Sequence, residues 1–225
     1  MLAVVLLVPA WIVASALLYF LAVTGLRLSF QPLPPSLPLV VAGVAAFVAS
    51  AGLVWILGRR VRGASYAQLG FNGFKVWLDV PLAVLGQIIA FVGMAVYAVL
   101  LRTASSSEVP TQLGVGDFGS SIAGFVVAFI IIVILAPVGE EMLFRGFLYP
   151  GFRKRFGVAK GMLLTSMIFA LFHFYPLLYT PMFIIGMVLV VLYEYRGTLA
   201  PSIMLHSLNN LLALLAIYGF FGPGN

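Results

Sequence analysis

Phe125-Val126-Val127-Ala128-Phe129-Ile130-Ile131-Ile132-Val133-Ile134-Leu135 carries no polar side chain, yet a few residues later the chain reads Gly139-Glu140-Glu141-Met142-Leu143-Phe144-Arg145-Gly146. The apolar stretch as a whole, 119–149, exceeds the ~20 residues that an α-helix needs to cross a bilayer. It lacks the period-2 alternation of a membrane barrel strand, which would also be only ~10 residues long. It therefore reads as a helix that carries two carboxylates and a guanidinium towards hydrocarbon. An ionisable group at that depth is costly, so by default it marks a functional site.

The rest of the chain agrees on the solvent. Of its 225 residues 63% are hydrophobic and 8% charged, with a mean hydropathy of +1.17. Soluble domains carry about 25% charged residues, so too little polar surface is present to cover a water-facing globule. Apolar runs at 2–26, 37–58, 77–101, 119–149, 158–175, 178–195 and 199–221 predict an all-α, polytopic membrane protein of about seven transmembrane helices with an intramembrane polar site. The expected organisation is a single integral membrane domain. Residues 1–118 supply N-terminal spans and loops, and 119–221 supply the core that carries the chemistry. The first run continues to about Gly25, too long for a signal-peptide core, and reads as a retained span.

No cysteine is present, which excludes disulfides, thiolate metal sites and a cysteine nucleophile. The net charge of +6 sits at the ends of spans, and no aromatic-interleaved basic patch points to nucleic acid. Breaks fall at Gln31-Pro32-Leu33-Pro34-Pro35 and at a polar loop with Ser105-Ser106-Ser107 and Asp117. Arg59, Arg60, Arg62 and Lys75 flank one connection, and Arg153, Lys154, Arg155 and Lys160 another. Counting Lys and Arg places these two connections on the cytoplasmic side of a cell membrane. Spans four and five are then antiparallel about Arg155. Glu140 lies fifteen residues before that turn and His173 eighteen after it, at comparable depths of ~20 Å. His206 starts from the same side.

Glu141 and Arg145 are i,i+4 neighbours on an α-helix, in the favourable order. One arginine beside two carboxylates leaves Glu140 the less compensated acid and the candidate base. Alone, that pattern also fits an ion-paired helix end. His173 alone fits a satisfied interfacial residue. His206 and Asn210, i,i+4 on the last span, alone fit helix–helix hydrogen bonding. Together they supply a base, a charge partner and hydrogen-bond donors in a water-poor site. That inventory suits hydrolysis, with Glu140 activating water and imidazole and amide groups stabilising an oxyanion. It also suits a zinc site in which Glu140, His173 and His206 hold the metal. No His-Glu-x-x-His helix is present.

The ordered elements Glu140-Glu141-x-x-x-Arg145, Phe169-x-x-x-His173 and His206-x-x-x-Asn210 resemble the CPBP family of intramembrane proteases. That family includes CAAX prenyl proteases of the Ras-converting-enzyme type and bacterial Abi proteins; the short chain points to the prokaryotic branch. The resemblance covers about 119–221 and implies an endopeptidase with a cavity open to the cytoplasm. In it Glu140 activates water, and Glu141 supports it with Arg145. His173 positions the water or carbonyl, and His206 and Asn210 stabilise the oxyanion. Phe144 and Phe169 fall on the substrate-binding side. A glutamate mechanism without a cofactor is preferred to a zinc mechanism, because Asn is a poor zinc ligand. The partners expected are the bilayer and a peptide or protein substrate that can be prenylated or membrane-docked. Two other readings use the same residues: a non-catalytic bacteriocin-immunity or scaffold protein, and a proton-coupled transporter, which would be expected to show internal repeats.

Overall fold

The computed structural model describes residues 7–29, 36–61, 63–104, 118, 121–173 and 176–219. The first residues of the chain, the break at 31–35, Arg62, the loop holding Ser105 to Ser107 and Asp117, and Phe174 lie outside them. The described residues are mostly helical and include no strand; the main non-helical stretch is the connection at 63–75. Six helices are long and apolar enough to cross a membrane: α1 (Leu7–Ser29), α2 (Leu37–Leu53), α3 (Val76–Ala104), α4 (Ile122–Leu171), α5 (Tyr179–Arg196) and α6 (Ala200–Ile217). With its apolar sequence, this makes the chain an integral membrane protein.

The six long helices among the described residues accommodate the seven expected runs, because α4 takes in both the fourth and the fifth apolar run. The two are still separated, at Gly157, where φ is 81° and ψ 175°. Only glycine adopts that backbone readily. A methyl group on Gly161 would sit 3.0 Å from the Arg153 nitrogen and 3.3 Å from the Tyr149 ring. Eight residues along a straight helix would be ~12 Å apart, so the chain doubles back at Gly157, within the basic turn.

Local chemistry explains most other boundaries. Pro38 occupies the first turn of α2, where a missing N–H costs nothing. Ser121 caps α4 by accepting the Gly124 N–H at 3.1 Å. Gly197, at φ 65°, closes α5 and donates its N–H to Tyr193 O at 2.8 Å. Three stretches depart from α geometry into π-helix: Val54–Val61 after α2, and Phe129–Leu135 and Met142–Leu148 inside α4. In the first, Arg60 lies over the Trp55 ring at 4.8 Å, five residues on, as π spacing requires.

The chain forms two compact units. One contains 1–63, 112–143 and 207–225. Here Trp11 of α1 donates to Ser50 Oγ on α2 at 2.8 Å, and Ser50 donates to Ala46 O. Gly139 has no side chain, so α4 approaches α2 closely at Phe47 and Ser50. Phe118, Ala128, Ile131, Val133 and Leu214 form the unit's buried apolar core.

The other unit contains 64–111 and 144–206. α3 and α5 run antiparallel in it. Asp79 meets Arg196, Gly86 meets Leu192 and Val188, Gly93 meets Ile184, and the Tyr97 hydroxyl donates to Leu177 O. At the basic end the 63–75 connection is clamped to the turn after α5. Gly70 O accepts from Leu199 N at 2.9 Å and from the Thr198 hydroxyl at 3.1 Å. The connections at 63–75, 149–161 and 196–199 thus share one end, as alternating spans require. Side chains such as Val84, Ile88, Val92, Val96 and Val99 on α3 point outward, where lipid is the solvent.

Candidate active site

Four of the six acids lie within the described residues, and they divide by role. Asp79 is fully buried and its Oδ1 accepts from Arg196 Nε at 2.6 Å, while Oδ2 accepts the Lys75 N–H at 2.7 Å. Glu194 accepts hydrogen bonds from Arg153 Nε and Nη2 and from the Tyr149 hydroxyl. Both are ties at the basic end of the second unit. Glu140 and Glu141 lie elsewhere, at the end of the α-helical segment Ala136–Glu141 of the first unit; Glu140 is half-buried and Glu141 fully buried.

From Met142 the helix turns π, so backbone bonds run i→i+5 through Leu148. Wide turns of this kind recur at functional sites.

In the second unit four of the expected residues gather around a fifth, Phe169, which is 1% exposed. The Arg145 guanidinium lies over its ring, 4.6 Å from the centroid. Phe144, His173 and His206 approach it edge-on at 5.2, 5.0 and 5.7 Å. Phe172 packs on Phe144 at 5.3 Å. A buried cation must be matched by acceptors or aromatic faces. Arg145 is fully buried, and its Nη2 donates to Gly186 O on α5 at 3.0 Å. Gly186 itself gives Phe169 room: a methyl there would lie 3.1 Å from Phe169 Cδ1 and 3.3 Å from Ser166 Cβ.

The His173 ring is oriented by Phe169 a second time, through a 2.9 Å bond between its Nδ1 and Phe169 O. A carbonyl oxygen only accepts, so Nδ1 carries the proton. In the neutral ring Nε2 then presents a lone pair. His206, 5% exposed, lies on α6. Four residues further along that helix Asn210 belongs to the first unit, where its Nδ2 donates to Ile132 O at 2.9 Å.

The structure thus brings Phe144, Arg145, Phe169, His173 and His206 together in one unit, and holds Glu140, Glu141 and Asn210 in the other. Among the described residues neither unit alone groups three His, Asp or Glu side chains able to hold a metal ion. Gly186 and Ile132 were not singled out by the sequence. A glycine inside an apolar helix is the available sign for the first. The second contributes only a carbonyl, which every residue possesses.

Fold and site together define a polytopic helical membrane protein with buried ionisable groups among its spans. Residues 122–212, which contain all of these polar site residues, match the family model described as type II CAAX prenyl endopeptidase Rce1-like. Over that stretch the chain is similar to this family, as its three polar elements implied, and the likeness points to CAAX-type protease activity. No curated protein and no solved structure matches the chain.

Proposed function

We propose that the protein is an intramembrane endopeptidase that hydrolyses a peptide bond in a small CAAX-type or membrane-docked peptide. The observation that carries this reading is the cluster around Phe169, which fixes a buried cation, a buried imidazole and a half-buried one between apolar helices. Burying such groups without a task is costly. Glu140 takes a proton from water. The Nε2 lone pair of His173 accepts a hydrogen bond from the same water, a role set by the proton on Nδ1. The hydroxide attacks the scissile carbonyl, and His206 with Asn210 donates to the oxyanion. Glu140 then returns the proton to the leaving amine. Glu141 and Arg145 support Glu140 by charge. Phe144 and Phe169, both 1% exposed, act here as positioning residues beneath the substrate.

No step requires a metal. Zinc held by Glu140, His173 and His206 is the competing arrangement; stoichiometric zinc in pure protein with chelator-sensitive turnover would replace this mechanism. The cytoplasm is the proposed side of entry, since the basic connections mark that face.

The bond from Asn210 to Ile132 O favours one further reading, in which the polar groups only join helices in an immunity or scaffold protein. Cleavage of farnesylated and unmodified CAAX peptides by purified protein in nanodiscs, beside Glu140→Ala and His206→Ala, separates the two. Folded variants without turnover support the protease. Absence of turnover in every form, with stability lost in the variants, supports the scaffold.

A further inference from the structure

Pro137 leaves a gap in the hydrogen-bond ladder of α4. A proline nitrogen has no proton, and its ring crowds the carbonyl four residues earlier. The backbone just before it is π-helical, Phe129–Leu135, and the Ala136 N–H donates to Ile131 O. The α-type donor for Ile132 O is thereby committed to its neighbour. The π-type donor would be residue 137, the proline. Ile132 O is left without a donor in its own helix, and Asn210 Nδ2 fills the place at 2.9 Å from α6.

We infer that Pro137 is a positioning residue for Asn210. By withholding its N–H it makes Ile132 O the anchor of the carboxamide. Both N–H groups of an asparagine lie on one nitrogen in the amide plane. Anchoring one fixes the direction of the other, the one that would serve the oxyanion. The anchor is firm because a backbone carbonyl with no partner is expensive within a bilayer. The catalytic half of this inference rests on the proposed protease activity; the anchoring half stands without it.

A double-mutant cycle on the full chain in nanodiscs tests both halves. Pro137→Ala restores a backbone donor, and Pro137→Ser supplies the same donor should the alanine variant fail to fold. Asn210→Ala in the native background is expected to lower Tm by about 2–4 °C, the shift for one net hydrogen bond in a chain of this size. In the Pro137→Ala background the same change is expected to cost less than half as much. Equal losses in both backgrounds overturn the anchoring, whether or not any peptide is cleaved. Where the native protein cleaves a peptide, Pro137→Ala is expected to lower kcat about tenfold or more with KM unchanged. Native kcat in a folded Pro137→Ala variant overturns the positioning role. A fall confined to KM overturns it too.

Discussion

Gly186→Ala adds one methyl group at the point where α5 meets the aromatic cluster, and its effect can be worked from the geometry. The methyl would sit 3.1 Å from Phe169 Cδ1, 3.3 Å from Ser166 Cβ and 3.4 Å from Ser166 Cα. Carbon atoms prefer 3.5–4.0 Å. Ser166 Cα belongs to the backbone, so relief must come from Phe169 or from separating the helices. Phe169 has no free volume to enter, because Phe144, Arg145, His173 and His206 surround it. Overpacking of this kind costs ~1–3 kcal/mol, and replacing glycine by alanine in a helix returns ~1 kcal/mol. The net loss of about 0–2 kcal/mol lowers Tm by no more than ~8 °C.

Turnover should suffer more than stability. A shift of a few tenths of an ångström in Phe169 moves the carbonyl that orients His173 and the ring under Arg145, and it strains the Arg145–Gly186 bond. Misplacement by 1 Å can cost ~100-fold in rate, so about tenfold is expected here, mainly in kcat. The measurement is initial cleavage rate of a farnesylated CAAX peptide in nanodiscs, paired with a thermal melt. A Gly186→Ala protein with native rate and native Tm would refute the claim that Phe169 is packed against α5 as the organising residue of the site.

Other substitutions separate structural from chemical roles. His173→Asn keeps a donor near the position of Nδ1 and removes Nε2, so it should melt near the native temperature yet lose at least ~100-fold in kcat; retained turnover would move the water-binding role elsewhere. Asp79→Asn removes the charge that meets Arg196, and breaking a buried pair from one side costs ~3–5 kcal/mol. The slight exposure of Arg196 argues for the lower end, read as a drop in Tm and in the yield of folded protein. Arg153→Ala breaks a pair whose arginine side chain is 51% exposed. Such pairs contribute at most ~1 kcal/mol, so its melt should fall within a few degrees of native, and a large drop would show that the Tyr149–Glu194 contact depends on it.

Fold class was legible because lipid imposes a crude code: long apolar runs, basic joins, and glycine or proline at the breaks. The boundary inside α4 is instructive. The turn between the fourth and fifth runs holds Arg153, Lys154, Arg155 and Lys160, which look like a loop. Their backbone is nevertheless helical on both sides of Gly157. Residues with reactive groups were equally visible, since Glu140, Arg145, His173 and His206 stand out in an apolar chain. The π-helical turns were not visible. A widened turn arises from the local balance of backbone bonds, which does not follow from hydrophobic spacing.

The positioning residues escape a chemical reading of the sequence because they act through what they lack. Gly139 has no side chain, so the segment bearing Glu140 lies against Phe47 and Ser50. Gly186 has none, so Phe169 reaches α5. Pro137 has no N–H, so Ile132 O is available to Asn210. In water such gaps would be filled by solvent at little cost. In a bilayer no water competes, and a missing atom on one helix commands a contact from another. For that reason Gly139, Pro137 and Gly186 should tolerate alanine less well than exposed apolar positions such as Val92 or Val96, where the same exchange only alters the surface that lipid covers.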